Sequence, residues 1–182
     1  MTNISIKNLT FAYPGQAALF DNANFELDTS WRLGLLGRNG RGKTTLFKLL
    51  QNKLPYTGTL NVSVPLAYFP QPLGDQTKLA LYCLQETGNF LEWELKRELK
   101  LFKISEDLLW QPFNTLSGGE QTKLMLCALF CQADHFFLLD EPTNHLDLAG
   151  RKELVAYLKQ KKQGFIIARH DRTFLDQTID HT

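Results

Sequence analysis

The eight residues GRNGRGKT at 37–44 constrain this chain more than any other stretch. They match G-x-x-x-x-G-K-[ST] and sit between the apolar run WRLGLL and the segment TTLFKLLQNKL, whose Leu46, Leu49, Leu50 and Leu54 recur at helical spacing. A strand that ends in a glycine-rich turn and reopens as a helix aims several backbone amides at one point, which suits a phosphate. Gly37 opens the loop, Gly40 and Gly42 let the backbone turn, and Asn39 and Arg41 lie between them. Lys43 then reaches the β and γ phosphates and the Thr44 hydroxyl is placed for Mg²⁺, and Gly37, Asn39, Gly40, Arg41, Gly42 and Thr45 complete the expected nucleotide-binding set. The sequence predicts a chain that binds a nucleoside triphosphate.

HFFLLDEP at 135–142 supplies a second part of that chemistry. Its apolar residues read as a buried strand ending in Asp140, placed to hold Mg²⁺ directly or through water, with Glu141 beside it. Two adjacent carboxylates at the end of a buried strand are costly unless cations and water meet them. Glu141 is then the general base for an attacking water. Three further residues are open on their own. Gln71, between two prolines just past a strand, reads as a loop residue or as a contact to Mg²⁺ and water. His170, after the strand FIIA, reads as structural or as a ligand group at the carboxyl edge of a sheet. Tyr13, in a turn, reads as packing or as a ring that stacks on a base.

Length and pattern bound the fold. At 182 residues the chain fits one domain that buries roughly 70% of its unfolded surface. A formal net charge of +1 supplies no bulk field toward nucleic acid or membrane. Cys83, Cys127 and Cys131 lack metal-type pairing and read as buried reduced thiols. No secretory pattern opens the chain, and runs such as FFLL fall far short of a span of about 20 residues, so the expected location is cytoplasmic with no membrane partner. The periodicities predict an α/β fold: an antiparallel β part over about 1–30 and 56–70, a helical insert over about 77–115, and a parallel core formed by the remainder. In the insert, Leu91, Leu95, Leu99 and Phe102 form an apolar stripe. After it, LMLCALFC is apolar all round and reads as a helix buried on every side.

Before that buried helix stands LSGGEQTKL at 116–124, a second phosphate-type turn in a chain that already has one. With it the sequence resembles the ATP-binding-cassette (ABC) ATPases along its whole length, as an ABC-type P-loop NTPase with a RecA-like core. The ordered motifs are an aromatic A-loop at Tyr13, Walker A at 37–44, a Q-loop at Gln71, LSGGE at 116–120, Walker B ending in Asp140 and Glu141, a D-loop around Asn144 and Asp147, and a switch His170. The resemblance implies ATP and Mg²⁺ as cofactors, and roles for Gln71 and His170 beside Glu141. It also implies that Ser117, Gly118, Gly119 and Glu120 cap the γ phosphate held by a second cassette in a head-to-tail pair.

Spacers and flanks narrow the resemblance. Only 45 residues separate Gln71 from Ser117, fewer than transporter cassettes or the coiled-coil chromosome and repair proteins of the family carry. DEPTNHLDL and RHDRTFLD look like the ABC-F subfamily. FAYPGQAALFDNANFELDT, LGRNGRGKTTLFKLLQ, ELKREL and DEPTNHLDLAGRKEL look like the first cassette of the Lsa- and Vga-type antibiotic-resistance ABC-F proteins. That likeness implies action on the ribosome and its RNA, and a chain excised from a longer two-cassette protein before its linker. A transporter subunit and a housekeeping translation factor are the alternatives. Arg169 departs from the small residue usual before the switch His; its guanidinium either adds charge near the γ phosphate or points to solvent. Arg151, Lys152, Lys159, Lys161 and Lys162 read as a solvated helix face, or more sharply as a contact to ribosomal RNA.

Overall fold

The computed structural model describes residues 3–37, 40, 42–170 and 172–179, so Asn39 and Arg41 lie outside the described residues. The chain divides into two compact units, one formed by 1–66, 134–140 and 162–182, the other by 67–133 and 141–161.

In the first unit, β1 (Asn3–Phe11) pairs antiparallel with both β2 (Phe20–Asp28) and β4 (Thr57–Val62), giving the order β2-β1-β4. Alternation puts Ile4 and Ile6 inside, and then the phase slips so that Leu9 and Phe11 are inside. Asn8, at φ 52, takes up the extra residue as a bulge. Asparagine tolerates that left-handed backbone better than most side chains do. The first unit also holds a parallel core in which β3 (Arg32–Leu36) and β6 (Phe136–Asp140) flank β7 (Phe165–Arg169). Burial on both faces explains why β6 and β7 read as apolar runs. Helix α1 (Lys43–Leu50) follows β3, and its Phe47 and Leu49 are fully buried.

The sequence reading placed LAYF within the antiparallel part, and the structure corrects this. β5 (Leu66–Phe69) is not a strand of β2-β1-β4. The chain leaves that sheet after β4, and the Pro65 carbonyl accepts from the Phe136 amide at 2.9 Å, at the start of β6.

The second unit is helical: α2 (Ala80–Gln85), α3 (Glu92–Phe102), 3-10 turns at 106–110 and 113–115, α4 (Gly118–Phe130) and α5 (Leu148–Lys159). Leu95, Leu99 and Phe102 are buried as expected, but Leu91 is exposed. It is the N-cap residue of α3, where its amide donates to Glu94 Oε2 at 2.7 Å, so it stands before the helical stripe begins. Residues 126–131 of α4 and its end are buried throughout.

Lys161 corrects the reading of a solvated basic face. It is 5% exposed and pairs with Glu98, itself 4% exposed, on a carboxylate oxygen that also accepts from the Tyr157 hydroxyl. The ammonium lies 4.2 Å from the Tyr157 ring centroid and 5.1 Å from that of Phe130, and Phe102 stacks on Tyr157 at 4.3 Å. A buried charge persists only when paired and hydrogen-bonded, which this cluster achieves. Burial pushes the neighbouring Cys127 thiol and the Tyr157 hydroxyl well up, and the Cys131 thiol up to about 12. The three cysteines are free and buried, as their spacing suggested.

Candidate functional site

The first unit gathers the phosphate loop at the carboxyl edge of its parallel strands. Leu36 pairs with Arg169 and Asp140 with Ala168, so the residues after β3, β6 and β7 emerge on one edge, where open α/β sheets bind ligands. Gly40 and Gly42 have φ 79 and 89, the left-handed region that glycine enters without strain. Among the described residues, a Cβ on Gly40 would meet nothing within 4 Å, whereas one on Gly42 would lie 2.8 Å from Leu19 Cδ2. The first position is open to a ligand, and the second is closed by a side chain that sequence reasoning missed. The Lys43 ammonium, 9% exposed as a residue, donates to the Gly37 carbonyl across the loop.

The Thr44 hydroxyl donates to Asp140 Oδ2 at 2.7 Å, joining residues 96 apart in sequence. One hydroxyl and one carboxylate brought together are hard oxygen donors, and they fit a magnesium ion that keeps part of its water shell. Tyr13 opens its turn, its carbonyl accepting from the Gln16 amide at 3.0 Å; its hydroxyl lies 3.0 Å from the Thr45 hydroxyl, and its ring packs edge-on against Phe11 at 4.9 Å. His170 stands exposed just past β7. Arg169 is 2% exposed, with its guanidinium 5.4 Å from the Phe174 ring centroid of α6 (Arg172–Leu175). It does not point to solvent, because β7 is buried along its length.

The second unit holds the other predicted residues. Gln71 Nε2 donates to the Met125 carbonyl of α4 at 2.9 Å, which fixes the side chain and leaves Oε1 buried with no hydrogen-bond partner. A buried acceptor without a donor is costly, and a cation's water or the ion itself would satisfy it. Glu141 follows Asp140 with φ 47, an uncommon conformation for a residue with a side chain. Its carbonyl accepts from the Asn144 amide at 3.2 Å.

Ser117, Gly118, Gly119 and Glu120 form the start of α4. The Ser117 hydroxyl accepts from the Glu120 amide at 3.2 Å, and Glu120 Oε2 accepts from the Ser117 amide at 2.8 Å. This reciprocal cap makes the turn rigid while Ser117 and Gly118 remain exposed. Asp147 caps α5 through its Oδ1, which accepts from the Gly150 amide at 2.7 Å. Asn144 is exposed in the loop before it.

Known proteins fit this architecture. Residues 20–144 match the family model described as ABC transporter. The chain is 33% identical over 184 residues to ABC transporter F family member 3 of Arabidopsis thaliana, covering 97% of this chain and 26% of that protein. It is 34% identical over 173 residues to the probable ATP-binding protein YheS of Escherichia coli K12, covering 91% of this chain and 27% of that one. The chain thus spans about a quarter of the length of such relatives. A solved metal-chelate type ABC transporter in an inward-facing conformation superposes with a TM-score of 0.78 at 23% identity, over 98% of this chain and 77% of that one, which bears on the fold alone.

Proposed function

The chain belongs to the ABC transporter family of ATP-binding ATPase domains, and from that membership we propose that it is the first cassette of an ABC-F protein acting on the ribosome. The observation that carries the reading is the loop DEPTNHLDL, which leads from Asp140 and Glu141 into the cap of α5 and resembles the ABC-F pattern. The similarity to an F-family relative over nearly the whole chain supports it. So does the brevity of the insert, two helices and two 3-10 turns between Gln71 and Ser117. Among the described residues, no helix is long and apolar enough to cross a membrane.

Lys43 and the amides of the phosphate loop bind the β and γ oxygens of ATP, and Tyr13 meets the base. Thr44 and Asp140 hold the magnesium ion, which when bound neutralises charge on the terminal phosphate. Glu141 takes the proton of the attacking water, while Gln71 and His170 orient water and phosphate. Ser117, Gly118, Gly119 and Glu120 of this chain close over the nucleotide of a second cassette, with Asn144 and Asp147 in the adjoining loop. ATP then holds the pair shut on the ribosome, and hydrolysis reopens it. Alone, the chain turns over slowly because its own γ phosphate is uncapped; its rate per molecule rises with protein concentration if two chains can pair.

We place the protein with the Lsa- and Vga-type ribosome-protection factors. Full-length protein carrying Glu141→Gln, loaded with Mg-ATP, should sediment with ribosomes and stay out of the membrane fraction. The reverse partition would identify a transporter subunit. Wild-type protein should then rescue in vitro translation from a lincosamide, a streptogramin A or a pleuromutilin; ribosome binding without rescue would identify a housekeeping factor.

A further inference from the structure

Among the described residues, the largest fully buried side chain carries a charge, and the nucleotide chemistry above leaves it unused. Arg169 is the last residue of β7 and is 2% exposed, although it stands at the carboxyl edge of the parallel sheet and directly before the exposed His170. Its backbone is fixed by the sheet, where it lies opposite Leu36 of β3 while the preceding Ala168 lies opposite Asp140 of β6. Taking a cation out of water is costly unless something meets it. Here the guanidinium carbon sits over the Phe174 ring, 5.4 Å from its centroid. A guanidinium within about 6 Å of a ring centroid is drawn to the negative face of the ring, most strongly where water is excluded.

Phe174 is itself held. It is 6% exposed, and its carbonyl accepts from the Gln177 amide at 3.3 Å and from the Thr178 hydroxyl at 3.2 Å. The Leu175 carbonyl accepts from the Thr178 and Ile179 amides at 2.9 and 3.2 Å. Arg169 and Phe174 thus flank the segment that carries His170, one in a strand paired on both sides, the other in a helical turn closed by its own hydrogen bonds. Fastening the two flanks to each other fixes both ends of that short segment and narrows the shapes it can take. A side chain 2% exposed offers a ligand almost no surface, so Arg169 acts on a nucleotide only through a neighbour.

We infer that Arg169 is a positioning residue for His170: its guanidinium, seated on the Phe174 ring, ties the end of β7 to α6 and holds the histidine between them in place for the terminal phosphate. The service to hydrolysis rests on the role proposed above for His170, whereas the tie does not. Cation and ring act together, so removing either loosens the segment and keeping both preserves it.

Two measurements on the 182-residue chain separate these parts. The first is amide hydrogen exchange at Gln177 and Thr178 without nucleotide. Arg169→Ala and Phe174→Leu should each raise the rates about tenfold, the two together should add little more, and Phe174→Tyr should stay within about threefold of the parent. The second is steady-state ATP hydrolysis. Arg169→Ala should lower kcat about tenfold, with KM and the affinity for a fluorescent ATP analogue unchanged, and should lower it no further in a His170→Ala background. Unchanged exchange in the two single variants, or full additivity in the double one, overturns the tie. Faster exchange with undiminished kcat overturns the service to His170, as does an equal further fall in the His170→Ala background or a matching loss of ATP affinity. If Arg169→Ala does not fold, Phe174→Leu takes its place in both measurements with the same outcomes. A parent without turnover, or one whose kcat survives His170→Ala, removes the hydrolytic role of His170 and this service with it, and the exchange rates by themselves then decide for or against the tie.

Discussion

Helix α1 starts from Gly42, in the left-handed region and with no side chain accepting from its first-turn amides, whereas α4 starts from Ser117, which exchanges hydrogen bonds with Glu120. Both are helix N-termini with a positive end of the macrodipole; the first follows a glycine-rich loop, and the second begins with Gly118 and Gly119. The difference lies in what completes them. The first start has no side-chain cap and, among the described residues, open space at Gly40; the second is finished by its own side chains. A turn that holds its own nucleotide can be ordered by it. A turn that meets a phosphate only when a partner arrives has to be ready beforehand, which lowers the ordering cost at that moment.

The largest effect should come from the self-sufficiency of the second unit. Lys161→Met strands the Glu98 carboxylate in a buried site and should cost about 3–5 kcal/mol of stability in urea unfolding. A loss below about 1 kcal/mol, the range of exposed ion pairs, would mean that this unit does not depend on its internal charges. Next, Lys43→Ala removes the charged contact from the ligand-completed turn and should weaken Mg-ATP binding by about 1.5–3 kcal/mol, roughly ten- to hundredfold by calorimetry, with the far-ultraviolet dichroism unchanged. Smaller again, Ser117→Ala removes half of the reciprocal cap and should lower stability by about 1 kcal/mol. If Ser117→Ala also lowered the single chain's ATP affinity, the division of labour between the two turns would fail.

The smallest effect concerns the apolar floor beneath the Glu98 pair. Burial raises the folded Cys131 thiol from its ordinary 9.0 to about 12, and Cys127 rises in the same direction. Folding therefore favours the protonated thiols, so their contribution to stability is fully present below pH 9.0 and is lost as pH climbs toward about 12. The urea midpoint should fall as pH rises from about 9 to about 10, and Cys131→Ala should reduce that fall. An identical slope in the variant would place the pH dependence elsewhere.

The phosphate loop, the strand ending in Asp140 and the LSGGE turn were legible because each is a contiguous run whose spacing reports its local geometry. Strands β6 and β7 were legible for the same reason, since burial on both faces leaves an apolar run. Lys161 was not, because a lysine reads as solvated until its partner is known, and Glu98 stands 63 residues away. Of the two readings of Arg169, charge near the phosphate or a guanidinium in solvent, the second fails, and only the pairing of β7 on both sides shows the burial that excludes it. Leu91 fitted a helical stripe by spacing alone, and capping decided otherwise. Leu19 carried no signal, because it acts by filling the space that a glycine leaves.

The hydrogen bond between Tyr13 and Thr45 fastens a loop at the end of β1 to the helix that follows the phosphate loop. On the proposed reading, the ring that senses the base and the amides that sense the phosphates share one mount, which makes the pair a ruler. A molecule must span a set length from ring to lysine to satisfy both ends, so a nucleoside with too few phosphates, or a free triphosphate without a base, engages only one mark on the scale. Tyr13→Phe keeps the mark and unfastens it, so it should blur the discrimination between ATP and shorter nucleotides more than it weakens ATP itself.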